Sequence, residues 1–193
     1  DVYKRQGGSM TTWDSNTAIG KQALQGQSGQ AMNYCTAVGA SALASGSITT
    51  GANGATAVGH AALTANTSGG GNTAVGYSAA TALTTGANNT VLGYQAFDAM
   101  DTGNENVAIG INALGAATHD SCNYNVCIGS SAGGGIADTA VHGCVIIGGL
   151  ASDAAMTATA AGTVAIGKSA LSAHTSGTGK IAIGLRAEDA NTD

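Results

Sequence analysis

Histidines and cysteines are the residues of this chain best suited to hold a metal ion, but their spacing does not form a metal-binding pattern. Zinc ligands usually come in closely spaced pairs. Here the cysteines are irregularly spaced without a Cys-x-x-Cys pair, and no His-x-His pair occurs. We therefore predict no metal site and interpret the cysteines as small buried thiols, with a disulfide between Cys122 and Cys127 left open. The residues concerned are His60, His119, His142, His174, Cys35, Cys122, Cys127 and Cys144.

Acidic residues cluster at two places, Asp98, Asp101 and Glu105 around one predicted turn and Glu188 with Asp189 near the end of the sequence. The two carboxylates of a glycoside hydrolase must face each other across a cleft. The turns of a repetitive fold are convex and offer no such cleft. We predict solvated turns, no cofactor and no enzymatic activity.

The composition excludes two further classes of function. Only six lysines and arginines are present, the net charge is −5 and aromatic residues make up 4% of the chain. A nucleic-acid interface needs a basic patch, often with stacking aromatic residues. No apolar run approaches the 18 residues that a membrane-spanning helix requires. We expect neither nucleic acid as a partner nor insertion into a membrane.

A tetrapeptide similar to TAVG recurs ten times and organises the whole sequence. Its final glycines are 17 to 20 residues apart. A period of this length predicts a solenoid, in which each repeat forms one coil and contacts only its neighbours. The ten glycines are Gly20, Gly39, Gly59, Gly76, Gly93, Gly110, Gly129, Gly148, Gly167 and Gly184.

The three residues before each glycine have the pattern of a β-strand. The residue three before is β-branched in every repeat, changing from Thr to Val or Ile after Thr90, and the residue one before is always large and aliphatic. The residue between them is small in eight repeats, the exceptions being Val91 and Ile146. Alternation with period two places the outer residues on one face and the middle residue on the other. Both faces are largely apolar, so the sequence leaves open which of them packs inside the coil.

An alanine follows each glycine by three residues, and we expect a position there with no room for a larger side chain. The next residue is often Leu or Phe, and a polar turn rich in Gly and Asn follows. The glycine itself suits a corner where the backbone bends or a neighbouring chain segment approaches. The ten alanines are Ala23, Ala42, Ala62, Ala79, Ala96, Ala113, Ala132, Ala151, Ala170 and Ala187.

The predicted fold is therefore all-β, a parallel β-solenoid or β-roll of about ten coils of 17–20 residues. One coil buries only about one Ile, one Leu and a few Ala, which is a thin core for a lone solenoid. We infer that one strand face packs against partner chains, most simply in a homotrimer. Residues 11–193 are expected to form a single repeat domain from a longer fibrous protein. Residues 1–10 begin with DVYKRQ, typical of translated adapter read-through in metagenomic sequence, and are predicted to be a non-native or disordered leader.

The repeats resemble the head repeats of trimeric autotransporter adhesins of the YadA-like type, whose SVAIG…A motif is matched by NVAIGINA at residues 106–113 and TVAIGKSA at 163–170. They resemble still more closely the NTAIGYQAL repeats of tail-fibre-like phage proteins, matched by residues 72–89. The resemblance covers residues 16–187 and implies a trimer of parallel, left-handed solenoids. It also implies a place on a virion tail fibre or on a bacterial outer surface.

The leading functional expectation is a structural and adhesive segment that spaces or presents a site binding a host surface, a glycan or a protein. Tyr77 and Tyr94 both follow the glycine directly and are candidates for contact with such a surface, with packing as the alternative. Ice binding through the Thr ladder of the first five repeats is a second hypothesis. A left-handed acyltransferase solenoid is a third, but it requires several aliphatic signals per coil, and only one is visible.

Overall fold

The computed structural model describes residues 15–25, 32–46, 49–116, 122–136, 141–156, 160–173 and 175–188. The predicted leader at residues 1–10 lies outside these ranges. In the described part, each repeat contributes one strand of three residues, which confirms the predicted parallel solenoid. The strands are β1 (Thr17–Ile19), β2 (Thr36–Val38), β3 (Thr56–Val58), β4 (Thr73–Val75), β5 (Thr90–Leu92), β6 (Val107–Ile109), β7 (Val126–Ile128), β8 (Val145–Ile147), β9 (Val164–Ile166) and β10 (Ile181–Ile183). The coil that contains a strand is given the strand's number.

The ten strands form one parallel sheet in sequence order, each pairing with the strands of the adjacent coils. The register follows the repeat column by column, so that Thr17 pairs with Thr36 and Ile19 with Val38. A 3-10 turn (Thr50–Ala52) lies between β2 and β3. None of the described residues belongs to a helix long and apolar enough to cross a membrane.

The middle residue of each strand faces the interior, and this answers the question that the sequence left open. Ala57, Val91 and Ile146 are fully or almost fully buried, whereas the residues on either side of them point outward and are exposed or half-buried. Most of these inward residues are small, and Val91 and Ile146 show that larger apolar side chains also fit in individual coils. The Val and Ile columns consequently form the outer surface of the sheet.

The glycine that ends each strand is required by both its conformation and its surroundings. Gly20 has φ +128°, and a Cβ built on it would lie 2.6 Å from the carbonyl oxygen of Gly39 in the next coil. Residues with a side chain rarely adopt such a φ, and this distance is far below van der Waals contact. The glycines therefore stack backbone against backbone at one corner of the solenoid.

After the corner, left-handed residues alternate with ordinary ones and tie each coil to both neighbours. In coil 4, Ser78 (φ +53°) donates its N–H to the carbonyl of His60 in coil 3, and Ala80 (φ +51°) donates to that of Ala96 in coil 5. Non-glycine residues pay about 1 kcal/mol or more for this conformation. The hydrogen bonds to both adjacent coils offset that cost and satisfy the backbone of a segment that is not a strand.

One continuous core runs along the solenoid from Leu24 to Ala182. It consists of the strand middles, the alanine column, the Leu or Phe that follows the alanine in six coils, and apolar turn residues such as Met100. The eight alanines from Ala42 to Ala170 are fully buried, and Ala23 and Ala187 in the end coils are partly buried. The core therefore has the same layers in successive coils.

Candidate interaction surface

The outer face of the sheet carries two straight rows of side chains. The third residue of each strand gives an aliphatic row from Ile19 to Ile183, and the first residue gives a second row, Thr in coils 1–5 and Val or Ile in coils 6–10. Strands about 4.8 Å apart make each row roughly 43 Å long. Leu92 is 47% exposed although it is a large aliphatic residue. A continuous apolar face of this kind is a candidate interaction surface.

The two halves of this face differ in chemistry. In coils 6–10, both rows are aliphatic, as Val145 and Ile147 illustrate, and the face has no polar side chain in either row. In coils 1–5, a threonine accompanies each aliphatic residue, and Thr73 and Thr90 are exposed. The C-terminal half is therefore the more hydrophobic part of the surface.

A stack of aromatic rings lies directly after the glycine corner in coils 3 to 5. The ring centroids of His60 and Tyr77 are 5.0 Å apart, and those of Tyr77 and Tyr94 are 5.4 Å apart, with interplanar angles of 13°. Both tyrosines are about half-exposed. The stack brings together the two tyrosines that share a repeat phase. It also includes His60, which the sequence reasoning missed although His60 occupies the same position after Gly59.

Tyr34 and Tyr124 lie elsewhere on the surface. Both occupy the turn position two residues before a strand, with φ +61°, and both are well exposed. The same column holds Gly54, Gly71 and other left-handed residues in the remaining coils. No ring contact links these two tyrosines to the aromatic stack.

An asparagine ladder inside the solenoid was not foreseen. Asn72, Asn89, Asn106 and Asn125 immediately precede β4 to β7 and are buried. From Asn89 onward, the backbone N–H and Nδ2 of each asparagine donate to Oδ1 of the one before, as from Asn106 to Asn89 at 2.9 and 3.1 Å. Nδ2 of Asn89 also donates to the carbonyl of Gly103 at 2.8 Å. The inner members thus use both amide hydrogens and accept twice at Oδ1, so the buried amides are fully paired.

The four cysteines are buried thiols that form no disulfide, and their chemistry is that of structural thiols. Cys127 is the middle residue of β7, in the position that alanine holds in most strands. Burial raises the pKa of Cys35, Cys122 and Cys144. It raises the pKa of Cys127 most strongly, and the neighbouring Cys144 and Cys122 add to the effect. Raised pKa values keep thiols protonated and unreactive. The disulfide between Cys122 and Cys127 is not formed.

The remaining candidate residues do not assemble into a catalytic or metal centre in the described part of the chain. His60 and His142 are exposed, and His119, His174 and Asp189 lie outside the described residues. Glu105 and Glu188 are exposed, whereas Asp98 and Asp101 are half-buried. No group of three or more His, Cys, Asp or Glu among the described residues is placed to hold a metal ion.

Residues 129–133 have the form Gly-x-Ser-x-Gly, which occurs at the nucleophile of serine hydrolases. In those enzymes the serine lies between a strand and a helix. Here Ser131 follows β7 but leads into a turn, and its φ of +54° is shared by Ser41 and Ser169 at the same place in other coils. The conformation is therefore a property of every repeat and does not single out a nucleophile.

The fold and its surface define a β-solenoid repeat protein with an apolar outer sheet face. Comparison with models of protein families, with curated proteins and with solved structures finds no match.

Proposed function

We propose that this chain is a structural and adhesive segment of a homotrimeric fibre, in which the outer sheet faces of three copies pack together. The observation that carries the proposal is the pair of in-register rows along the outer face. Burial of Val, Ile and Leu stabilises association by about 25 cal/mol per Å2 of apolar surface. Since closed symmetry is usual for oligomers of one chain, identical rows on three copies meet in one register.

The resemblance to adhesin heads and tail-fibre repeats supports the finer parts of this proposal. It favours left-handed coils, a non-enzymatic role and a location on a virion tail fibre or a bacterial outer surface. Stacked coils give a stiff rod, because each coil is hydrogen-bonded to its neighbours along its length. Three parallel copies of any weak binding site raise the overall avidity without a strong single contact.

The stacked Tyr77 and Tyr94 are the first surface that we assign to contact with a host glycan or protein. The two faces of Tyr77 are covered by His60 and Tyr94, so the stack offers ring edges and phenol hydroxyls. Tyrosine combines apolar area with a hydrogen-bonding group and is common at interfaces.

Solution mass tests the proposed assembly. We expect about 55 kDa, three times the 18.5 kDa of one chain. Ile147→Lys places a charge in the aliphatic half of the face and should give a monomer that keeps its β-sheet circular dichroism. Thr85→Lys, at an exposed turn position, is the matched control and should remain trimeric. A wild-type mass of one or two chains, or a trimeric Ile147→Lys variant, would overturn the assignment.

Ice binding is a second candidate, because the threonine row faces outward. Thr73 and Thr90 pair in register on adjacent strands, beside the pair Val75 and Leu92. This candidate needs the face to be open to water, whereas the trimer covers it. A thermal-hysteresis assay separates the two: activity that disappears in Thr73→Lys favours ice binding, and its absence in the wild type excludes it.

A further inference from the structure

A groove of about 490 Å3 crosses coils 5 to 8 on the segment that follows the glycine corner. Pockets for small ligands generally have volumes between about 300 and 1,000 Å3. The floor of the groove lies in one column, the fifth residue after the corner glycine. Gly115 and Gly134 occupy this column in coils 6 and 7, so the groove is a gap two coils long in a row of side chains.

Coils 3 and 4 show the same column when it is filled. Oγ1 of Thr64 donates to the carbonyl of Ser41 at 2.9 Å, and Oγ1 of Thr81 donates to the carbonyl of Ala61 at 3.3 Å. Each threonine thus reaches back over the preceding coil. Where glycine replaces threonine, that surface is left uncovered.

A carboxylate lies at each end of the gap, and neutral polar groups lie along its side. Asp98 and Asp153 belong to the same column in coils 5 and 8, three coils apart, or roughly 14 Å at the usual strand spacing. Gln95, Asn112 and Ser131 contribute amides and a hydroxyl between them, and Ala116 and Leu150 contribute apolar surface. None of the described residues that line the groove is Lys, Arg or His, so these residues do not neutralise the acids. Burial raises the pKa of Asp98, which indicates a carboxylate partly withdrawn from water.

We propose that this groove binds a short oligosaccharide of an amino sugar, with its protonated amines at Asp98 and Asp153. The sugar hydroxyls hydrogen-bond to Gln95, Asn112 and Ser131. A carboxylate at each end selects a ligand with several separated cationic groups, and the polar side chains between them suit hydroxyls better than apolar groups. The groove proposal gives a ligand class to the adhesive role proposed above. It depends on that role in one respect, which is that the groove must stay open in the trimer.

Calorimetric titration at pH 6 and low salt with β-1,4-linked glucosamine trisaccharide tests the proposal. We expect binding at least tenfold tighter than that of the N-acetylated trisaccharide, which lacks the charges, and of trilysine, which lacks the hydroxyls. The double variant Asp98→Asn/Asp153→Asn should bind at least tenfold more weakly. Glu105→Gln, which removes one exposed acid outside the groove, should bind as the wild type does.

A second variant tests the shape of the groove with both carboxylates retained. Gly115→Thr/Gly134→Thr restores the residue type of coils 3 and 4 and should abolish binding. Neither glycine has a left-handed φ, and a Cβ would lie 3.1 Å from the Asn112 carbonyl oxygen and 3.2 Å from that of Ser131, so small shifts accommodate it. Circular dichroism and solution mass confirm that each variant is folded and assembled.

Equal affinity of the wild type and either double variant would overturn the proposal. Equal affinity for trilysine would show that the groove binds any polyvalent cation and does not recognise the sugar. Equal affinity for the N-acetylated sugar would show that the carboxylates do not contribute to binding. The mass of the same sample distinguishes the two proposals. A monomer that binds the sugar refutes the trimer and keeps the groove, and a trimer that does not bind refutes the groove alone.

Discussion

The interior of coils 4 to 7 differs from that of coils 8 and 9 in the column of the residue that precedes each strand. In coils 4 to 7, four buried asparagines form a continuous ladder, in which each amide bonds to the next. In coils 8 and 9, Cys144 and Thr163 occupy the column, and each side chain donates only to backbone carbonyls. The same fold therefore tolerates a dense polar network and a sparse one, and substitutions in this column measure what the network contributes.

The largest difference is expected when the ladder is cut in the middle. Asn106→Leu removes Oδ1, which accepts from the backbone N–H and Nδ2 of Asn125, and leaves the carbonyl of Cys122 without this donor. Unpaired buried groups cost about 1–3 kcal/mol each, so we expect the free energy of unfolding, measured in urea, to fall by about 3–5 kcal/mol. Asn112→Leu is the control, since Leu150 already occupies that column in coil 8. A loss no larger than that of the control would show that the ladder adds little.

Alkaline pH is expected to weaken the region of coils 7 and 8, where Cys122, Cys127 and Cys144 lie. Because burial raises the pKa of Cys127 above its ordinary value of 9.0, the folded chain holds this proton more tightly than the unfolded chain does. The contribution of this thiol to the free energy of unfolding is therefore fully present below about pH 9. It falls by about 1.4 kcal/mol for each pH unit above that value. Cys35, Cys122 and Cys144 shift in the same direction.

Urea midpoints between pH 7 and 10.5 measure this effect. Cys127→Ala introduces the residue that β6 has at this position, Ala108. It should reduce the dependence of the free energy of unfolding on alkaline pH by the contribution of one thiol. A slope that is the same in both proteins would mean that Cys127 does not titrate differently on folding.

The strands and the glycine corner were predictable because each is fixed by one residue type in one column. A β-branched residue, a small residue and a large aliphatic residue before Gly20 or Gly110 define a strand and its alternation. The inward face was not predictable, since Ala and Val are both apolar, and the width of the coil decides which fits inside. That width depends on the stacking of the whole coil.

The asparagine ladder and the groove were harder to find for different reasons. Asn72 to Asn125 keep one phase, which is a visible signal, but Cys35, Ala55 and Cys144 interrupt the column. Asparagine in turns is also expected without any ladder. The groove depends on two glycines, Gly115 and Gly134, that look like ordinary turn residues until the fifth position after each corner is aligned between coils.

Extending the ladder by one member should stabilise the protein. In Cys144→Asn, Nδ2 takes over the contact of the thiol with the carbonyl of Ala160, and a second Nδ2 hydrogen reaches Oδ1 of Asn125. The new Oδ1 accepts from the backbone N–H of Thr163, as its counterparts do in coils 4 to 7. We expect a gain of about 1–1.5 kcal/mol, the net value of one or two buried hydrogen bonds, measured by urea unfolding. A loss of stability would show that coil 8 has no room for the amide.

The smallest effect is expected where the column no longer belongs to a network. Thr163→Val removes one hydrogen bond, from Oγ1 to the carbonyl of Ala160 at 2.6 Å. That carbonyl retains the weaker contact from Sγ of Cys144 at 3.6 Å, so it is not left without a donor. We expect the free energy of unfolding in urea to fall by about 0.5–1 kcal/mol, a change several times smaller than that for Asn106→Leu. Similar losses for the two variants would mean that the hydrogen bonds act singly in both regions and that the ladder has no cooperative strength.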